Sequence, residues 1–148
     1  MADQATERTT IAAPLARVVE VAEDVEHYPE WARDVKSVDV LDRDDQDRPL
    51  RVAFRAGAMG HSAHYILRYS YADDPASIAW VLEEGDVVRR LDGQYLFEPV
   101  DGDAGATAVT YHLEAELAVP LPGFVKRRAE GKIMTTALDE LKRRCEET

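Results

Sequence analysis

From Arg48 to Pro120 the chain alternates large apolar and polar residues with a period of two, over four or five consecutive segments. That period belongs to extended backbone, whose successive side chains point to opposite faces, so the pattern describes strands with one dry and one wet face. Tyr65, Leu67, Tyr69 and Tyr71 share a face of the segment from His61 to Ala72. Ile78, Trp80 and Leu82 repeat the pattern, then Leu91, Tyr95 and Phe97. Val109, Tyr111, Leu113, Ala115 and Leu117 complete it, with Thr110, His112, Glu114 and Glu116 opposite. Turn-forming clusters separate the segments at Gly57-Ala-Met-Gly60, Asp73-Asp-Pro75, Glu84-Gly-Asp86 and Asp101-Gly-Asp-Ala-Gly105, as an antiparallel meander requires. The dry face is unusually aromatic and needs a cover.

Upstream, Thr9, Thr10 and Ile11 predict a short strand through Glu7 to Ala12, and Pro14 opens a helix. Leu15, Val18, Val19, Ala22 and Val25 form its apolar stripe, and it must end before Pro29. His27-Tyr-Pro-Glu-Trp31 reads as a bend and a second short helix to about Asp34; strands follow over Val35 to Leu41 and Leu50 to Ala58, around the acidic loop Asp42 to Asp47. The only large amphipathic segment left to cover the sheet runs from about Pro122 to Cys145, with Ile133, Met134, Ala137, Leu138, Leu141 and Cys145 as its stripe. Its middle is small, at Ala129, Gly131, Thr135 and Ala137. These residues either let helix and sheet approach closely or leave volume for a ligand. The expected class is α+β: a curved antiparallel sheet of six to seven strands wrapped around a long C-terminal helix, with two short helices after the first strand.

The 148 residues show no break in composition, so residues 1–148 are expected to form a single domain. No apolar run suits a signal peptide, and nowhere do about 18 apolar residues follow one another. Cys145, the one cysteine, excludes an internal disulfide and a cysteine-built zinc site. A cytoplasmic protein, monomer or homodimer, is expected. With 18 Lys and Arg against 29 Asp and Glu, the net charge of −11 repels phosphate, so neither nucleic acid nor an anionic bilayer is expected as a general partner. Two basic clusters, Lys126-Arg-Arg128 and Lys142-Arg-Arg144, read as solvated helix faces, the second complementing the helix dipole.

The nucleophile elbow, the phosphate-cradling loop and the dinucleotide fingerprint are missing. His61 and His64 have helical spacing beside a turn and His112 faces outward, so no metal and no cofactor are expected. Cys145 reads as a packing residue. Tyr65, Tyr69, Tyr71, Tyr95 and Tyr111 all fall on the dry face, where each hydroxyl needs a partner, which suggests a wet or occupied interior. Arg89 shares parity with Leu91 and Tyr95; it either faces inward, seeking an anion, or sits at a bulge in solvent, and Glu83 and Glu84 are its natural partners in either case.

The element order resembles the helix-grip fold of the START and pollen-allergen-like superfamily, and within it the SRPBCC branch of polyketide cyclase/dehydrase and coenzyme-Q-binding proteins. The resemblance rests on Tyr28-Pro29-x-Trp31, Ser77-Ile78-x-Trp80, Leu91-x-Gly93-x-Tyr95-x-Phe97, Thr107-x-Val109-Thr-Tyr111 and Pro120-Leu-Pro122-Gly123-Phe124, in that order over about Thr9 to Glu146. It implies a deep cavity between sheet and last helix for a lipid, isoprenoid quinone or polyketide-like molecule. The expected ligand-binding residues are Trp31, Phe54, Tyr65, Tyr69, Trp80, Tyr95, Phe97, Tyr111, Leu113, Met134 and Leu138, with Met59 and Phe124 as lips. Binding or transport without catalysis is the leading expectation. The alternative is a polyketide aromatase/cyclase in which Arg89 and one of Tyr65, Tyr69 or Tyr95 donate to an oxyanion.

Overall fold

The computed structural model describes residues 3–58, 61–73, 75–118 and 122–147; of Asp3, Ala58, His61, Glu130 and Met134 only the backbone is described. Seven strands run β1 (Asp3–Ile11), β2 (Val35–Arg43), β3 (Pro49–Ala58), β4 (His61–Asp73), β5 (Ala76–Gly85), β6 (Val88–Val100) and β7 (Asp103–Leu117). All neighbours are antiparallel, in the order β1-β7-β6-β5-β4-β3-β2. Helix α1 (Leu15–Glu23) and a 3₁₀ turn (Val25–Glu30) carry the chain from one edge of the sheet to the other, and α2 (Gly123–Glu146) closes the dry face. This is the helix-grip fold.

The period-two pattern holds most cleanly in β7, where Val109, Tyr111, Leu113, Ala115 and Leu117 are all buried and the residues between them are not. The first helix is shorter than its apolar stripe. Pro14 is the N-cap, with φ −61°, and Val25 belongs to the 3₁₀ turn, which contains Pro29. Tyr28 anchors that turn by donating its hydroxyl to the Ala22 carbonyl. At the other end of the crossover Thr107, fully buried, donates Oγ1 to the Ala13 carbonyl at 2.8 Å.

Helix α2 is fastened along its C-terminal half. Leu138, Leu141 and Cys145 are buried in the core. Lys142 Nζ donates to the Thr10 carbonyl at 2.6 Å, Glu146 accepts the Ala12 N–H at 2.9 Å, and Arg144 pairs with Glu30 at 3.1 Å. Burial pushes the Cys145 thiol up to about 11, which leaves it protonated and inert at neutral pH. Among the described side chains, the N-terminal half buries only Ala129, in a small cluster with Ala63, Val88 and Leu117. Gly131 does not bring helix and sheet together: a Cβ placed there would meet nothing within 4 Å. Thr135 is exposed and donates back to the Gly131 carbonyl at 3.1 Å.

Arg89 is exposed. The ladder between β6 and β7 shifts register between Val88 and Arg90. An extra residue on one strand re-aims the side chains around it, so Val88 is buried, Leu91 is half-buried, and Arg89 is left in solvent between them. Arg90 pairs outward with Glu114 at 3.3 Å. Glu83, a natural partner for Arg89 by sequence position, is held instead by Arg51 at 2.8 Å and Arg68 at 3.1 Å.

Candidate functional site

Beneath the middle of α2 the sheet leaves a cavity of about 180 Å³. Its floor is aromatic because the pleat places alternate residues of β3 to β7 on one face. Phe54 stacks on its cross-strand partner Tyr65 with ring centroids 5.3 Å apart, and Tyr28 bridges from Phe54 at 6.4 Å to Trp31 at 4.8 Å. On the other side Tyr69 lies 6.0 Å from Trp80, Trp80 5.3 Å from Tyr95, and Tyr95 4.7 Å from Tyr111. Such pairs add about 0.5–1.5 kcal/mol each beyond burial. Ile133, Thr136, Ala137 and Glu140 of α2 form the roof, and Ala32, Asp34 and Gly57 the wall beside the 3₁₀ turn.

Gly93 decides where the indole lies. It pairs with Trp80 on one side and Leu113 on the other. A Cβ there would come within 2.5 Å of Trp80 Cζ2 and 2.8 Å of Leu113 Cδ1. With no side chain on β6 at that point, Trp80 leans across the strand and comes within 6.0 Å of the Tyr111 ring on β7.

The phenols fall into two groups. Tyr28 donates to Ala22 and Tyr71 to the Pro49 carbonyl at 2.5 Å. Among the described residues no protein group hydrogen-bonds the hydroxyls of Tyr65, Tyr69, Tyr95 or Tyr111, nor the indole N–H of Trp80. Tyr69, Tyr95 and Tyr111 are only 5, 7 and 4 % exposed. Burial holds all four phenols above their ordinary range, and for Tyr69 and Tyr111 neighbouring phenols oppose ionisation further. Each remains a neutral donor at physiological pH. The cavity is therefore apolar by surface, yet carries a set of unanswered hydrogen-bonding groups.

Residues 2–146 match the family described as polyketide cyclase/dehydrase and lipid transport. The chain belongs to that family. No curated protein matches the sequence. Among solved structures, a START superfamily protein from Mycobacterium smegmatis superposes with a TM-score of 0.85 at 22% identity, over 97% of both chains. A protein from Thermus thermophilus gives 0.79 at 26% identity, over 97% of both chains. An aromatase/cyclase from Streptomyces sp. R1128 gives 0.82 at 16% identity, over 99% of this chain and 94% of that one.

For a member of the polyketide cyclase/dehydrase and lipid transport family, the cavity wall gathers most of the residues singled out by pattern. Trp31, Phe54, Tyr65, Tyr69, Trp80, Tyr95, Tyr111 and Leu113 all line it. Phe97 and Leu138 do not; both are buried deeper in the core, Phe97 stacked 5.7 Å from Tyr95. Phe124 is 65% exposed and is not among the residues that line the cavity. Met59 lies outside the described residues, as does the side chain of Met134. Tyr28, Val88, Leu91 and Ile133 also line the cavity, outside the expected ligand-binding set, although Leu91 and Ile133 lie on the apolar faces read from the pattern. Tyr28 belongs to the Tyr-Pro-x-Trp motif, whose composition signals only a turn. Val88 is displaced by the bulge.

A second depression, about 560 Å³, lies beneath α1 and against the far ends of β2 to β5. It is an open trough walled by charges that already answer one another, such as Arg48 with Asp44 at 3.0 Å and Arg43 with Glu26. Burial raises Glu23 at its edge, with Arg48 opposing. The aromatic cavity, the more enclosed of the two, is the better candidate for a ligand site.

Proposed function

We propose that this protein binds and carries a small, mainly apolar molecule bearing oxygen atoms, such as an isoprenoid quinone, an oxygenated lipid or an aromatic polyketide, in the cavity beneath α2. The observation that carries the reading is the group of buried phenol hydroxyls, on Tyr69, Tyr95 and Tyr111, that no described protein group answers. An unmade hydrogen bond at a buried polar group costs about 1–3 kcal/mol. A hydrocarbon alone would leave that cost in place, whereas carbonyl or hydroxyl oxygens would remove it. A volume of about 180 Å³ is below the roughly 300–1,000 Å³ of most ligand sites. A ring-sized part of the ligand fits as the cavity stands, and a longer one requires α2 to yield.

The family also includes cyclases, and four protonated phenols are suitable donors to a developing oxyanion. Catalysis further needs a base in reach of the substrate. Among the described residues, the carboxylates on the cavity wall are Asp34 and Glu140, and Glu140 already accepts the Arg33 N–H at 2.9 Å. Arg89, the other candidate donor for that reaction, is in solvent. Binding without turnover is the reading these residues support best.

Removing hydroxyls tests it, because stability and affinity should move in opposite directions. Tyr69→Phe and Tyr111→Phe are expected to leave the free protein as stable or up to about 1 kcal/mol more stable. Each should weaken a bound quinone or hydroxylated aromatic roughly five- to tenfold in fluorescence titration. Native mass spectrometry of protein purified from cells, with extraction of any added mass, identifies the ligand class. Equal affinity of wild type and variants for oxygenated ligands would sink the reading.

A further inference from the structure

The two basic clusters of α2 have different fates in the fold. The C-terminal one is consumed: Lys142 holds the Thr10 carbonyl and Glu146, and Arg144 holds Glu30. The N-terminal one is not. Among the described residues, Lys126, Arg127, Arg128 and Lys132 have no ion-pair partner, although acidic residues outnumber basic ones by 29 to 18. Phe124, Arg127, Arg128 and Lys132 are all exposed. Their spacing of i, i+3, i+4 and i+8 places them on one face of the helix, with Lys126 at its flank. These cations also sit at the wrong end for the helix: the first turn has no acidic residue, and cations near a helix N-terminus oppose its dipole. Stability therefore does not explain them.

We propose that this face of α2 docks on an anionic lipid bilayer, with Phe124 entering the interface and the cations lying among lipid headgroups. A basic helical face beside an exposed aromatic is the pattern of interfacial helices. The acidic remainder of the molecule does not forbid it, because charges more than about 8 Å from the membrane are largely screened at physiological ionic strength. Only this face can approach, which fixes the orientation. The same helix, less than two turns after Arg127, contributes Ile133 to the cavity wall. Docking here would bring the cavity roof to the bilayer, so that an apolar ligand could exchange without crossing water; that purpose rests on the carrier reading, but the docking itself does not.

The test uses the full chain without ligand, so its failure leaves the cavity reading standing. Co-sedimentation with vesicles of mixed phosphatidylcholine and phosphatidylserine should show binding at low salt that is lost at high salt and absent for phosphatidylcholine alone. Each cation near an anionic surface strengthens partitioning roughly fivefold. Arg127→Glu with Arg128→Glu should therefore weaken it by at least about tenfold, and Phe124→Ala a few-fold, while dye binding in the cavity is unchanged for both. No binding to anionic vesicles at low salt, or binding indifferent to the double reversal, overturns the proposal. Binding to soluble polyglutamate as tight as to vesicles, and indifferent to Phe124→Ala, would assign the face to an acidic protein and overturn it equally.

Discussion

The two halves of α2 cover the same sheet but are held by different means. From Leu138 onward the helix is driven into the core and tied by side chains to β1, to the loop after it and to the 3₁₀ turn. Before Ile133 its described side chains bury one alanine, its Gly131 packs against nothing, and Phe124 and several cations turn to solvent. The cavity lies where the one regime gives way to the other. The roof of the cavity is thus anchored at one end and lightly held at the other, because one helix changes its composition along its length. Elements with few buried contacts open at low cost, well below global unfolding.

The largest test of this contrast is in the core. Leu141→Ala should cost about 3 kcal/mol, whereas Ile133→Ala, at a half-buried position beside the cavity, should cost about 1 kcal/mol; urea denaturation measures both. Equal losses would mean that the two halves are held alike. Next, Gly131→Ala should stabilise the protein by about 0.5–1 kcal/mol, since Ala favours the helix and the site has room. It should also slow ligand release in stopped-flow displacement, and faster release would count against an opening at this end.

Charge at the two ends gives a smaller pair of effects with opposite signs. Lys126→Glu should raise stability and Arg143→Glu lower it, each by about 0.3–1 kcal/mol at low ionic strength, because the dipole favours anions at the N-terminus and cations at the C-terminus. Thermal melts at low and high salt distinguish this from local packing. The mildest test is acid. The Ala12 N–H and Lys142 hold the Glu146 carboxyl below its ordinary 4.5. Between its folded and unfolded values the unfolded chain binds more protons, so stability rises with pH there. The latch is thus complete above about 4.5 and is lost as pH falls through the folded value. Hydrogen exchange should show the C-terminal half loosening in that window in wild type but not in Glu146→Gln, whose latch is weak at every pH.

Much of this is legible in the residues, and the limits have physical causes. Alternation from Tyr65 to Leu117 locates the aromatic face because a strand's period is insensitive to everything but bulges. It leaves Arg89 open between an inward position and a bulge, and the structure has the bulge: one extra residue between Val88 and Arg90 re-aims the side chains, a shift that no local composition marks. Helical spacing names the core side of α2 from Ile133 onward. The same spacing does not separate a lip from an exposed face at Phe124, since that depends on how far the helix stands from the sheet. The tyrosine surplus is visible at once. Which hydroxyls are satisfied is not, because Tyr28 and Tyr71 find carbonyls six and 22 positions away.

The bare backbone at Gly93 has an evolutionary consequence. The floor of the cavity is level there only because Trp80 reclines over a strand that offers no side chain. A single base change to alanine would force the indole off the strand while leaving the strand's hydrogen bonds in place. Position 93 is therefore a dial on the shape of the cavity floor: chains that keep the same sheet and helix can alter it one methyl group at a time, without having to invent a new pocket.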